Sequence, residues 1–255
     1  MSLDAAEQTL AVANYSTGDV VFYALDPTTG APVEPPLVRQ NSGHGPNRDR
    51  QEGPHAHCVR FAPEQKFAYS VDLGTDQILG YSYDAATGAV GQSFVALKVP
   101  GGLGPRHIVF HPNVRWAYVV CEMGNVVLGL HVGGDGKLSI VQKISTLPKD
   151  FKAHSQAGHL TLNAAGDRLY ASNRGHNSVV VYAVDGEGKL SVVQTAPTLG
   201  DWPRFFLLLE EQQRCVVAHQ NGGTLVVFKL NSDGTLTPTG QTTNVPQPVF
   251  IGTVA

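Results

Sequence analysis

The sequence predicts an all-β protein of the β-propeller class, and three observations lead to this fold. The 255 residues include 28 Gly and 16 Pro, an excess of turn formers that is typical of many short strands. One pattern of short apolar strands recurs at intervals of about 50 residues, which is the period of a four-stranded blade. No amphipathic segment of helix length interrupts these strands. A β-sandwich would also contain short strands, but it would not require the same motif five times.

Each repeat contains the same strands in the same order. The first strand begins with His or Phe and covers residues 57–61, 107–110, 159–162 and 205–209. The second strand covers residues 67–71, 116–120, 169–172 and 215–218, and the third covers residues 77–81, 126–130, 178–182 and 224–228. β-Branched and aromatic residues dominate these runs, as they do in strands of known proteins.

A hairpin signal with Asp and Gly closes each repeat. The turn glycines are Gly30, Gly88, Gly136, Gly188 and Gly234, which are 58, 48, 52 and 46 residues apart. The opening residues fit the same template, with an innermost strand at residues 1–4 and further strands at residues 10–13 and 20–23. Because four short strands fit into each interval, we expect about five blades in a single propeller domain over residues 1–255.

Composition and charge exclude several classes of function. The net charge is −3 and only 15% of the residues are charged, so we expect no basic surface for nucleic acid or for membranes. The first residues lack the basic and apolar regions of a signal peptide, and no apolar run is long enough to span a membrane. The three cysteines, Cys58, Cys121 and Cys215, match neither a disulfide framework nor a zinc spacing. The sequence therefore predicts a cytoplasmic protein with reduced thiols.

Propeller geometry brings equivalent positions of different blades together, because the loops that enter the innermost strands surround one end of the central channel. Seven polar side chains share such positions: His57, Arg106, His107, His159 and Arg204 at or beside strand entries, and Glu122 and Arg174 at the ends of second strands. A cluster of His, Arg and Glu is suited to the opening of a lactone by water, or to proton transfer beside a carboxylate.

Other roles for some of these side chains are open at this point. His55 and His57 have a spacing that would place both rings on one side of a strand, as in a metal site. No cluster of Asp, Glu or Cys accompanies them, so we expect neither a metal nor another cofactor. His107 also fits a structural role in its turn, and Arg204 fits packing on Trp202.

Five sequence strings stand out beyond the general blade pattern, and they occur in order along the chain. They are RQEGPHAH at residues 50–57, GPRH at 104–107, VVCE at 119–122, ASNRGH at 171–176 and WPR at 202–204. Together they resemble the lactonase propeller family, which includes bacterial-type 6-phosphogluconolactonases and fungal carboxymuconate cyclases. That family has a ring of seven blades, so the resemblance implies that about two blades are lacking on the amino-terminal side. Open blade edges could then pair in an oligomer.

The resemblance also implies a catalytic site. The catalytic roles fall on His57, Arg106, Glu122 and Arg174, and we expect substrate contacts from His55, His107, His159 and Arg204. Glu122 or His57 would activate water. Arg106 and Arg174 would bind the developing oxyanion or an anionic group of the substrate.

Three functions are compatible with these expectations. The first is a lactonase that hydrolyses 6-phosphogluconolactone, or a similar sugar lactone, in the oxidative pentose phosphate route. The alternatives are a cycloisomerase of carboxylated muconate and a propeller that binds a ligand or partner without catalysis. The expected ligand is a small sugar lactone or carboxylate, and only the site can distinguish the three functions.

Overall fold

The computed structural model describes residues 1–253, which form strands and turns without a helix. These residues build five four-stranded antiparallel sheets, and this confirms the blade architecture predicted from the repeats. In each sheet the neighbouring strands follow one another in the chain, as in a propeller blade. No described segment is a helix that is long and apolar enough to cross a membrane. The cytoplasmic location and the single domain over residues 1–255 stay predictions.

The strands have the following bounds. The first sheet contains β1 (Ser2–Leu3), β2 (Thr9–Ala13), β3 (Val20–Ala24) and β4 (Leu37–Arg39). The second contains β5 (Ala56–Phe61), β6 (Phe67–Asp72), β7 (Gln77–Asp84) and β8 (Ala89–Lys98). The third contains β9 (Pro105–Phe110), β10 (Trp116–Cys121), β11 (Val126–Val132) and β12 (Leu138–Ser145). The fourth contains β13 (Gln156–Leu162), β14 (Arg168–Arg174), β15 (Ser178–Val184) and β16 (Leu190–Pro197). The fifth contains β17 (Pro203–Leu209), β18 (Arg214–His219), β19 (Thr224–Leu230) and β20 (Leu236–Asn244).

The first strand of each later sheet begins one to three residues before its predicted start. A register shift of the β-bulge kind interrupts the pairing near that start, for example between Pro203 and Phe205. The bulge breaks the alternation on which the prediction depended, and Pro105 and Pro203 resemble loop residues although proline is tolerated at the first position of a strand. Arg106 and Arg204, which we expected in entry loops or directly before a strand, therefore lie within β9 and β17.

The second strand of each later sheet lies in the core, and the fourth strand lies at the surface. Strands β10 and β14 are buried at every position after their first residue. Strand β20, in contrast, exposes every position after its first residue. Strands that are covered on both faces need continuous apolar runs. The second strands β10 and β14 contain such runs, whereas the fourth strand β20 does not.

The chain divides into two compact units. Unit 1 comprises Met1–Gly124 and Leu130–Val141, and unit 2 comprises Asn125–Gly129 and the described residues from 142 onward. Each unit has its own buried apolar cluster. The cluster of unit 1 includes Phe22, Val59, Phe61 and Tyr81, and that of unit 2 includes Tyr170, Phe206, Val217 and Phe228.

In both units a buried tyrosine hydroxyl reaches the hairpin of the following sheet. The Tyr69 hydroxyl donates to the Gly136 carbonyl at 3.0 Å, and the Tyr170 hydroxyl donates to the Gly234 carbonyl at 2.8 Å. Gly136 and Gly234 have φ angles of 81° and 84°, which glycine adopts without strain. These two hairpin glycines therefore serve two purposes, because they form the turn and supply an acceptor to the preceding sheet.

Candidate active site

Glu122 is the centre of a buried ion-pair cluster in unit 1. It directly follows β10 and is 3% exposed. Its Oε2 atom accepts a hydrogen bond from Nε of Arg106 at 3.0 Å, and its Oε1 atom accepts one from Nη2 of Arg50 at 2.7 Å. Because a different guanidinium binds each carboxylate oxygen, the side chain is held in one orientation and its charge is neutralised.

Strand pairing brings Arg106 to this carboxylate. Pro105 pairs with Cys121, so the end of β10 lies beside the start of β9, and the Glu122 amide donates to the Gly104 carbonyl at 2.8 Å. Arg106 is 2% exposed, and its Nη1 atom lies 2.9 Å from Nε2 of the neighbouring His107 ring. The Arg106 guanidinium therefore connects the carboxylate to an imidazole.

A row of rings continues from His107. The His57 and His107 rings meet edge to face with their centroids 5.3 Å apart, and His57 meets Tyr15 in the same way at 5.4 Å. Tyr15 stacks on His55 at 4.5 Å, and Nδ1 of His55 lies 2.9 Å from the Tyr15 carbonyl oxygen. Five of the eight predicted site residues thus lie in one connected cluster of unit 1. They are His55, His57, Arg106, His107 and Glu122.

Arg50 and Tyr15 are members of this cluster that the sequence did not identify. Arg50 lies in the loop between β4 and β5, and its side chain is 34% exposed. Its hydrogen bond to Glu122, together with an interaction with Tyr15, raises the pKa of the Arg50 guanidinium further above its usual range. Arg50 belongs to the string at residues 50–57, but its contact spans 72 residues of sequence and depends on the fold of the loop.

Tyr15 could have been found from the repeats. It lies in the turn after β2. In the third sheet Glu122 begins the equivalent turn, and in the fourth sheet Arg174 ends the second strand directly before that turn. Equivalent positions in different blades share an end of the sheet, so a functional residue in one blade indicates candidates in the others. Tyr15 is aromatic, whereas the prediction of the site rested on charged residues and histidines.

Arg174 lies at the end of β14, as predicted, and it is buried within unit 2. Its Nη2 atom donates to the Ala157 carbonyl at 2.9 Å, and its Cζ atom lies 5.6 Å from the centroid of the Trp202 ring. Arg204, which the sequence placed on that ring as an alternative, has Nη1 at 3.3 Å from Oε1 of Gln220. The cation that contacts Trp202 is therefore Arg174.

His159 lies in the middle of β13 and not at a strand entry. Its backbone N–H donates to the Ser172 hydroxyl at 2.9 Å, and its ring stacks on Phe205 with the centroids 4.1 Å apart. These contacts bury the side chain among apolar neighbours. The roles assigned to Arg174, His159 and Arg204 stay predictions.

Metal ligation was the alternative for His55 and His57. In residues 1–253 no group of three or more His, Cys, Asp or Glu side chains is arranged to hold a metal ion. Both rings instead contact Tyr15, one by stacking and the other by its edge.

The arrangement in unit 1 provides what the addition of water to an acyl carbon requires. An imidazole can exchange protons near neutral pH, and a buried guanidinium can stabilise an oxyanion. The carboxylate of Glu122 holds that guanidinium in place before the reaction begins. No water therefore has to reorient when the oxyanion forms.

Comparison with known families and curated proteins points to one group. The family model described as "Lactonase, 7-bladed beta-propeller" matches residues 1–253. A curated relative, the 6-phosphogluconolactonase of Bacillus subtilis (strain 168), is 34% identical over 254 residues, which are 98% of this chain and 71% of the relative.

Solved structures agree with this result. A protein from Lactobacillus plantarum superposes with a TM-score of 0.90 at 32% identity, covering 97% of this chain and 71% of its own. The periplasmic gluconolactonase of Pseudomonas aeruginosa superposes with a TM-score of 0.88 at 30% identity, covering 99% of this chain and 72% of its own.

Proposed function

The chain belongs to the lactonase family of seven-bladed β-propellers, and on that premise we propose that it hydrolyses 6-phosphogluconolactone to 6-phosphogluconate. The observation that carries the proposal is the Glu122 carboxylate, held between two guanidiniums beside the His57 and His107 rings. The phosphorylated substrate is the one that the name of the Bacillus relative states.

His57 is the better of the two candidate bases. Both oxygens of Glu122 already accept charge-assisted hydrogen bonds from arginines, and both bonds would weaken if the carboxylate took up a proton. His57 would take a proton from water as the water oxygen bonds to the lactone carbonyl carbon. The Arg106 guanidinium would stabilise the oxyanion formed at the carbonyl oxygen. The ring C–O bond would then break, and the proton on His57 would pass to the departing ring oxygen.

The test is hydrolysis of freshly generated 6-phosphogluconolactone, followed by a coupled dehydrogenase and corrected for spontaneous opening. We expect turnover above background, and a loss of at least about a hundredfold in Glu122→Gln, because the neutral amide cannot anchor two guanidiniums. A loss of less than about threefold in a folded Glu122→Gln variant would contradict the assignment.

Parallel assays with other lactones, read without the coupled dehydrogenase, distinguish the alternative functions. Activity only on carboxylated muconolactone would favour the cycloisomerase, and activity only on unphosphorylated gluconolactone would replace the proposed substrate. A folded protein that acts on none of these lactones would favour a binding scaffold.

A further inference from the structure

Asp76 ties together two segments that carry the arginines of the candidate active site. It directly precedes β7 and is 4% exposed. Its Oδ2 atom accepts hydrogen bonds from Nε2 of Gln51 at 2.8 Å and from the Gly102 amide at 2.6 Å. Its Oδ1 atom accepts one from the Gly104 amide at 2.8 Å. Three donors on one buried carboxylate form a strong joint between two segments distant in sequence.

One side of this joint positions Arg50. The neighbouring residue Gln51 is fully buried, and its side-chain amide donates to the Leu73 carbonyl as well as to Asp76. The Gln51 backbone closes a turn onto Asn47, with N–H to carbonyl oxygen at 2.7 Å. Gly45 packs so closely that a Cβ atom there would clash with the Gln51 side chain. These contacts hold both the side chain and the backbone of Gln51 in place. They therefore also fix the backbone of the preceding residue, Arg50, from which its side chain extends.

The other side of the joint positions Arg106 and Glu122. Gly104 lies two residues before Arg106, its amide is bound by Asp76, and its carbonyl accepts the Glu122 amide at 2.8 Å. Gly104 has a φ of 62°, and a Cβ atom there would lie 2.9 Å from the Met123 sulfur. Gly104 therefore links Asp76 to the backbone of Glu122 and to the start of β9.

The third and fourth sheets carry amides where the second sheet carries this carboxylate. Asn125 and Asn177 directly precede β11 and β15, and like Asp76 they have positive φ angles. Asn125 donates to the Ser155 carbonyl at 2.8 Å, and the Asn177 oxygen accepts from the Trp202 amide at 2.9 Å. An amide has only one acceptor oxygen, whereas the carboxylate of Asp76 provides two for its three donors.

We propose that Asp76 and Gln51 are positioning residues of the catalytic site, which together place Arg50 and Arg106 on the two oxygens of Glu122. They act through the arginines and do not touch the substrate. The inference rests on the proposed lactonase function and adds to it a cause for the geometry of the site.

The first test is Asp76→Asn, with Asp4→Asn as the matched control. Asp4 is equally buried and also accepts three N–H donors, but it lies in the turn between β1 and β2. In Asp76→Asn an NH₂ group faces an N–H donor, so one tie is lost, while asparagine still tolerates the positive φ. We expect kcat to fall by about tenfold to a hundredfold, with KM within about threefold, because displaced groups lose transition-state contacts. Asp4→Asn should retain kcat.

The second test does not depend on activity. Phenylglyoxal modifies arginines, and peptide mass spectrometry would compare the labelling rate of Arg50 with that of the exposed Arg48, an internal standard two residues away. We expect the ratio of Arg50 to Arg48 labelling to rise by about threefold or more in Asp76→Asn and in Gln51→Ala, because the ordered contact opens locally. The ratio should stay at the wild-type value in Asp4→Asn.

The outcomes separate the two hypotheses. If the wild-type protein does not hydrolyse lactones but the labelling ratio rises as expected, the proposed function fails and the positioning of Arg50 stands. If Asp76→Asn matches Asp4→Asn both in kcat and in labelling, the positioning role is overturned.

Discussion

Single contacts around Glu122 support the roles that we propose within the site. The sequence and its family resemblance left two candidates for the base, Glu122 and His57. The contacts of Glu122 with Arg50 and Arg106 make it an anchor for positive charge, since both of its oxygens are occupied. The contact with Arg50 favours His57 over Glu122 as the base, because it gives the second oxygen of Glu122 a guanidinium partner as well.

Arg50→Ala tests this role directly. We expect kcat to fall by about tenfold or more, since Glu122 loses one of two charge-assisted hydrogen bonds and with it a fixed orientation. Free guanidinium ion in the assay should restore part of the lost kcat by occupying the vacated position. Arg48→Ala, an exposed neighbour in the same loop, is the control and should behave as wild type. An Arg50→Ala variant with unchanged kcat would exclude Arg50 from the site.

The repeated sheets explain why equivalent residues have equivalent roles. In the second, third and fourth sheets the residue before the third strand is Asp76, Asn125 and Asn177, respectively. Each of them ties its turn to a segment before or at the start of the next first strand. The tyrosine of the second strand binds the hairpin glycine of the next sheet in both units. These contacts join sheet to sheet by polar groups at both ends, while apolar side chains fill the space between them.

Tyr170→Phe measures the contribution of the contact between sheets. The hydroxyl is buried and its loss leaves the Gly234 carbonyl without that donor, so we expect the free energy of unfolding to fall by about 1–2 kcal/mol. Chemical denaturation of the two proteins gives the difference. Tyr23→Phe is the control, because the half-buried Tyr23 hydroxyl makes no hydrogen bond within the described part of the chain. Equal losses in both variants would contradict a specific role for the Tyr170 bond.

The stability of the whole molecule should depend on pH through its buried histidines. His219 is fully buried, and burial lowers its pKa from the ordinary value of 6.5. His176 is only half-buried, and partial burial lowers its pKa as well. The neutral ring is favoured in the folded state, whereas the unfolded chain binds a proton near pH 6.5. Above pH 6.5 these histidines therefore do not lower the free energy of unfolding. As the pH falls below 6.5 they lower it progressively, because the unfolded chain binds more protons than the folded one.

Thermal unfolding between pH 5 and pH 8 checks this expectation. We expect Tm to fall below about pH 6.5, and we expect a shallower fall in His219→Gln, which removes one group that must stay neutral. His131→Gln, at an exposed position, is the control and should keep the wild-type slope. An identical slope in all three proteins would show that His219 does not contribute.

The sequence by itself determined the class of fold and most of the strands. The alternation of β-branched residues and the spacing of the hairpin glycines are local signals, so they predicted five blades and, with the five strings, the lactonase family. It also named five members of the cluster around Glu122. Four of them, His57, Arg106, His107 and Glu122, follow from repeated positions, which imply neighbours in space, and His55 follows from the family resemblance.

The tertiary structure decided the contacts that depend on register and on loops. The bulges that place Arg106 within β9 arise from strand pairing, which the alternation pattern cannot show. Arg50 reaches Glu122 only because Gln51 and Asp76 fix the loop, and those hydrogen bonds join residues 25 to 72 positions apart. Such contacts exist only once the chain has folded, since no local preference of the sequence specifies which distant partner a polar side chain will meet.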